Sequence, residues 1–250
     1  LAPDASQTVL AITFCLFMTL FAIFFGTGKG SGRERHEGLV MTIAFESLVK
    51  LVALLLIGWF AVYKGFGSFA AMETWLNEQP ELLRRLKEPA PPGTFQVMVL
   101  VFFTAAVATP HMFYMTFHEN NHPRALNVAS WGLPLFFLLL SLPVLPILWA
   151  GLKSGSLTPM EYYPVTLGMD YDSHLFTLIG FLGGLSAASG LIIVITLALS
   201  TMCLNHLILP VWQPTARQNI YRWLLWKRRV LITALIWGGF LFYYIPSDSQ

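Results

Sequence analysis

Apolar residues run along this chain in six long stretches, about 6–26, 38–63, 95–117, 128–151, 174–204 and 221–245, each followed by a polar link. All exceed the ~18 residues at which an apolar helix becomes long enough to cross hydrocarbon. A helix satisfies its own backbone, which lipid cannot do for a lone strand, so the pattern predicts an all-α, polytopic helical membrane protein with six transmembrane spans. Composition agrees, with 56% hydrophobic residues against 11% charged.

The links between the runs are punctuated. Residues 64–94 carry a mixed-charge amphipathic piece around Phe69–Lys87, interrupted at Pro80 and closed by PAPPG at 89–93; this predicts a helix lying on the surface. The run from Phe95 passes through TAAVATPH, where Pro110 removes a backbone donor and weakens the helix. Pro134, Pro143 and Pro146 predict a bend in 128–151. The acidic segment 152–173 reads as a loop, and NHLILP at 205–210 reads as the end of the fifth span. Trp223, Trp226, Tyr243 and Tyr244 suit the interfacial belts of the sixth span.

Charge sets an orientation. Lys29, Arg33, Arg35, Arg124, Arg217, Arg222, Lys227, Arg228 and Arg229 share one side, which the retention of basic loops places in the cytoplasm, with both termini outside. The opposite loops mix Lys64, Arg84, Arg85, Lys87 and Lys153 with seven acids. Basic residues shared among membrane-flanking loops explain the net charge of +2 without a nucleic-acid partner. Cys15 and Cys203 lie in apolar runs and read as packing residues. The opening at Leu1, with no basic region or cleavage site after it, reads as a fragment rather than a signal peptide.

Candidate chemistry is concentrated in two runs. Glu46 and Lys50 stand one helical turn apart inside an apolar span, where pairing lowers the cost of burying either charge; an ion or proton path and a neutralised helix-orienting pair both fit. In GGLSAASGLIIVITLALSTMCLN, residues 183–205, Gly184, Ser186, Ser189, Gly190, Ser200 and Thr201 bring small or hydroxylated surface to an apolar helix. Such residues serve close helix packing or offer oxygens to an ion. His118 and His122 have the H-x-x-x-H spacing of membrane iron oxidases, but such enzymes need several boxes, and six histidines in all leave loop residues as the simpler reading. The glycines of 26–38 lack the strand and G-K-[ST] of a phosphate loop.

Three stretches together resemble the sodium/solute symporter family: HEGLVMTIAFESLVKL (36–51), TPHMFYMTFHENN (109–121) and residues 183–205. The first and third look more like the transporter-like sensor region that precedes certain bacterial hybrid histidine kinases. The resemblance implies a fold of two inverted five-helix repeats (LeuT-like), with solute near the midplane among discontinuous helices. The six spans would match its fourth to ninth core helices. It implies an acidic role for Glu46, with Lys50 at a neighbouring Gln position; ion or solute binding by Ser186, Ala187, Ser189 and Gly190; and a helix break near solute at Thr104, Thr109 and Pro110. Fixing the register on Asn205 puts Gly190 and Leu191 at the family's hydroxyl pair, and a one-residue shift keeps Ser186 and Ser189 in play. At most one hydroxyl of the pair survives, which counts against strict sodium coupling. Ala105 and Ala106 stand where sugar carriers have aromatics, which counts against a sugar. The implied function is binding or transport of a small organic solute, an amino acid or similar metabolite, in a bacterial inner (plasma) membrane. No cofactor is implied beyond a sodium ion or proton as coupling ion. The partners are lipid bilayer and a C-terminal kinase domain with its response regulator; this chain itself is no enzyme. A stand-alone secondary transporter is the alternative, and a His118/His122 metal oxidase the remote one.

Overall fold

The computed structural model describes residues 5–26, 37–88, 91, 93–113, 123–212 and 220–247, and among these there is no strand. Among the described residues, the runs read as spans are helical apart from a bend at Thr109 and a turn at Leu142 and Pro143. Helix α1 covers Ala5–Gly26 and α2 Glu37–Phe60, the latter prolonged by a π-helical turn over Ala61–Phe66. Then come α3 (Phe69–Asn77), α4 (Pro80–Lys87), α5 (Thr94–Ala108) and α6 (Pro110–Phe113). The chain continues as α7 (Pro123–Ser141), α8 (Val144–Ser154), α9 (Tyr163–Asp170), α10 (His174–Cys203), α11 (Leu209–Val211) and α12 (Ile220–Ser247). Among the described residues, three helical stretches are long and apolar enough to cross a membrane: Met41–Phe66, Arg124–Ser154 and His174–Val211. Thr8–Phe24 and Thr94–Ala105 are shorter apolar helices.

Proline positions account for most of the breaks. Ser68 caps α3 by accepting from the Ala71 amide at 3.1 Å, and Pro80 opens α4 at the first turn, where a missing amide costs nothing. The surface pair α3–α4 is thus the interrupted amphipathic piece that the sequence predicts. Thr109 is a bend, so the third run is two helices meeting at Pro110. Pro134 is accommodated inside α7, whereas Leu142 and Pro143 form a turn that parts α7 from α8.

Two expectations need correction. Residues 152–173 are not a plain loop: a 3-10 turn at Met160–Tyr162 leads into α9, because Tyr163 and Leu167 stand one turn apart and both bury, with Pro164 in the first turn. Nor does helical structure stop at NHLILP. A π-helical turn over Leu204–Ile208 absorbs the irregularity, and α11 carries the helix to Val211.

Packing divides the chain into two compact units. The central unit, Ala44–Ala106 and Asn120–Ala188, has a core of Ile57, Phe60, Ala61, Phe66, Ile147, Ala150, Tyr163 and Leu167. Its helices touch where a side chain is missing. A methyl group on Gly58 would strike Pro143, one on Gly151 the Tyr163 ring, one on Gly168 the backbone of Thr177, and one on Gly180 the Pro164 carbonyl. Small residues that let backbones approach are how apolar helices gain contact when no water is left to expel. Gly155 ends α8 in the left-handed region, φ 69° and ψ 25°, with its amide and that of Ser156 turned back onto the Leu152 and Gly151 carbonyls.

The second unit comprises Leu1–Ile43, Val107–Glu119 and Ser189–Gln250. Here α1, the C-terminal half of α10 and α12 bury Ala22, Ile193, Leu197, Ile232 and Ile236. Two of its buried hydroxyls donate to carbonyls of their own helices, Thr19 to Cys15 at 2.7 Å and Ser200 to Leu197 at 2.9 Å.

Candidate functional site

Within the central unit, α2 and the first half of α10 meet along a seam. The Phe60 and Phe176 rings stack at 4.0 Å between centroids, a methyl added to Gly183 would come within 2.7 Å of the Ala53 Cβ, and the Ser186 hydroxyl donates to the Glu46 backbone carbonyl at 3.1 Å. Contact positions on α2 therefore fall at 60, 53 and 46 as those on α10 rise through 176, 183 and 186, so the two helices run antiparallel. Seven-residue spacing, 46 to 53 to 60 and 176 to 183, is the repeat that keeps one face of a helix on its partner. The seam changes character along its length. One end is aromatic, the middle is small, and the far end is polar.

That polar end holds the predicted acid. Glu46 and Lys50 both lie half-buried on α2, one turn apart. A carbonyl oxygen has two lone pairs, so the Glu46 carbonyl can accept from Ser186 in addition to its place in the helix. Ser186 is itself half-buried. The arrangement brings a hydroxyl, a backbone carbonyl and the chain positions of a carboxylate and an ammonium to one locus. Hard oxygens of this kind can hold a small cation or relay a proton.

The other predicted residues are distributed as follows. Ala187 is exposed on α10, while Ser189 is half-buried and Gly190 buried, both in the second unit. Thr104 is exposed on α5; Thr109 and Pro110 are half-buried at the bend, where the Thr109 carbonyl accepts from the Phe113 amide at 3.0 Å. Thr201, one of the small-residue hydroxyls, donates to the Leu197 carbonyl at 2.8 Å. His118 and His122 lie outside the described residues. Among the described residues, no group of three or more His, Cys, Asp or Glu side chains is placed to hold a metal ion.

Sequence reasoning missed two features. The seam residues Ala53 and Gly183 could have been found from the seven-residue step leading from Glu46 through Ala53 to Phe60. Lys153 could not: its Nζ donates to the Gly65 carbonyl at 2.8 Å and stands 4.6 Å from the Phe66 ring centre, tying the end of α8 to the π turn after α2. Beside it, burial and the neighbouring Asp170 carboxylate push the Tyr171 phenol above its ordinary range.

No protein-family model, curated protein or solved structure matches the chain.

Proposed function

We propose that the chain is a solute-binding membrane domain of the sodium/solute symporter type, embedded in a bacterial plasma membrane and serving as the sensory input of a histidine kinase. The observation that carries this reading is the hydrogen bond from Ser186 to the Glu46 carbonyl. Two of the three family-like stretches are 140 residues apart in sequence, and this contact joins them at the residues to which the resemblance assigns the acid and the ion-binding helix. The interruption at Thr109–Pro110 supports it, because solute sites of this type use broken helices. In this reading the three long apolar helices are spans, the shorter apolar helices and α12 complete a set of six, and the substrate is an amino acid or similar small metabolite. Coupling runs on a proton more readily than on sodium, since sodium prefers several hard oxygens and the helix offers at most one hydroxyl of the pair.

Uptake and equilibrium binding of labelled amino acids by the protein in proteoliposomes, with and without sodium and with an imposed proton gradient, test the reading. Saturable binding that falls in Glu46→Gln and Ser186→Ala supports it. No binding and no uptake of any amino acid removes it. A stand-alone transporter differs in lacking the kinase, which the reading frame after Gln250 decides.

A further inference from the structure

The start of α12 carries a second concentration of charge that the solute reading does not use. Arg222, Lys227, Arg228 and Arg229 precede Val230, and from there to Ser247 the helix is uncharged. The Lys227 ammonium sits among three tryptophans, 4.3 Å from the Trp212 ring centre, 5.5 Å from Trp226 and 5.7 Å from Trp223. Trp212 follows α11 directly, so the cage ties the end of α11 to α12. Indole faces attract a cation and prefer the water–lipid boundary, so this cluster marks an interface.

Arg228 is next to the cage but belongs to another face. It lies four and eight residues before Ile232 and Ile236, the α12 residues buried against α1 and α10. Its Nε and Nη2 atoms are buried, and neither has a hydrogen-bond partner among the described residues. Buried polar nitrogens are almost always paired, and those of an ionised guanidinium are the costliest to leave unpaired. The two nitrogens are not an arbitrary choice. Their N–H bonds run parallel along one edge of the guanidinium, the fork that grips two oxygens of a carboxylate or phosphate together. Yet α1, α11, α12 and the 189–203 portion of α10 contain no Asp or Glu.

We infer that Arg228, with Lys227 beside it, binds the phosphodiester of an anionic phospholipid headgroup at the membrane interface. The ligand chemistry is a phosphate bearing two free oxygens. A lipid is favoured over a free ion because Arg228 directly follows the tryptophan-caged Lys227 and precedes the uncharged stretch that begins at Val230, along which the acyl chains of a bound headgroup can run. The inference is independent of the solute site, since none of these residues lies in the central unit.

Native mass spectrometry of the purified chain in detergent, titrated with dioleoyl-phosphatidylglycerol or dioleoyl-phosphatidylcholine, tests it. The phosphatidylglycerol adduct should form at a concentration about tenfold lower than the phosphatidylcholine adduct, and Arg228→Gln should abolish that preference. Arg222→Gln, an exposed residue, should change it about twofold or less. Should Arg228→Gln fail to fold, Lys227→Gln takes its place and should reduce the preference about threefold. In a parallel thermal-shift arm, phosphatidylglycerol should raise the melting temperature and inorganic phosphate should not. Equal binding of the two lipids, a preference unchanged in the Arg228 or Lys227 variant, or equal protection by inorganic phosphate would each overturn the assignment.

Discussion

Gly180 and Gly184 stand one turn apart on α10, and the structure assigns them opposite responses to the same substitution. A Cβ on Gly180 would press on the Pro164 carbonyl and come within 3.1 Å of the Pro164 carbonyl carbon and of Val165 Cα. These are backbone atoms of α9, so nothing can swing aside and the helices must part. Gly184 has nothing within 4 Å of the same position. Alanine in a helix interior gains about 0.5–1 kcal/mol over glycine at either site, so that term cancels when the variants are compared. What is left is the overpacking at Gly180, about 1–3 kcal/mol. Gly184→Ala should therefore be neutral to slightly stabilising, and Gly180→Ala less stable than it by about 1–3 kcal/mol. Helix content followed by circular dichroism through a titration with sodium dodecyl sulfate in mixed micelles gives the two midpoints. Equal midpoints, or a lower one for Gly184→Ala, would refute the packing of α10 on α9.

Two further perturbations probe the same unit. Lys153→Met removes both the bond to the Gly65 carbonyl and the cation over Phe66, and should cost about 1–2 kcal/mol in the same titration; no change would mean that α8 is held to the π turn by apolar contact alone. Tyr171 should titrate above the ordinary phenol value of about 10 when followed by ultraviolet absorbance. The folded state holds its proton more tightly than the unfolded chain. The resulting stability is complete below the unfolded pKa and is lost as pH rises through the folded one, and Tyr171→Phe should remove this alkaline loss.

The helices were legible in the sequence because length and hydropathy decide them, and their interruptions at Pro80 and Pro110 were legible because proline breaks a helix by a local rule; Pro134, Pro143 and Pro146 read together as a bend, and did not show that the chain would part at Pro143 alone. Helix α9 was not, since eight residues containing one buried pair, Tyr163 and Leu167, give too short a period to stand out beside acidic neighbours. At the candidate site, Glu46 and Ser186 were both recognisable as polar groups in apolar runs. That they meet was not, because the meeting depends on the antiparallel register of α2 and α10, which glycine and alanine set through what they lack. Ala187 was named with its neighbours although the turn of the helix exposes it. The Lys227 cage and the buried edge of Arg228 depend on how α11, α12 and their neighbours pack, and the basic run alone read as an ordinary membrane-flanking charge.

The central claim is that the polar end of the α2–α10 seam lines a water-accessible solute site. Ser186→Cys in a background with Cys15 and Cys203 replaced by Ala, reacted with a membrane-impermeant maleimide in proteoliposomes, tests it most directly. The account predicts that the thiol reacts and that an amino-acid solute slows the reaction. A thiol that reacts solely with a lipid-soluble maleimide, or whose rate no amino acid changes, would contradict it.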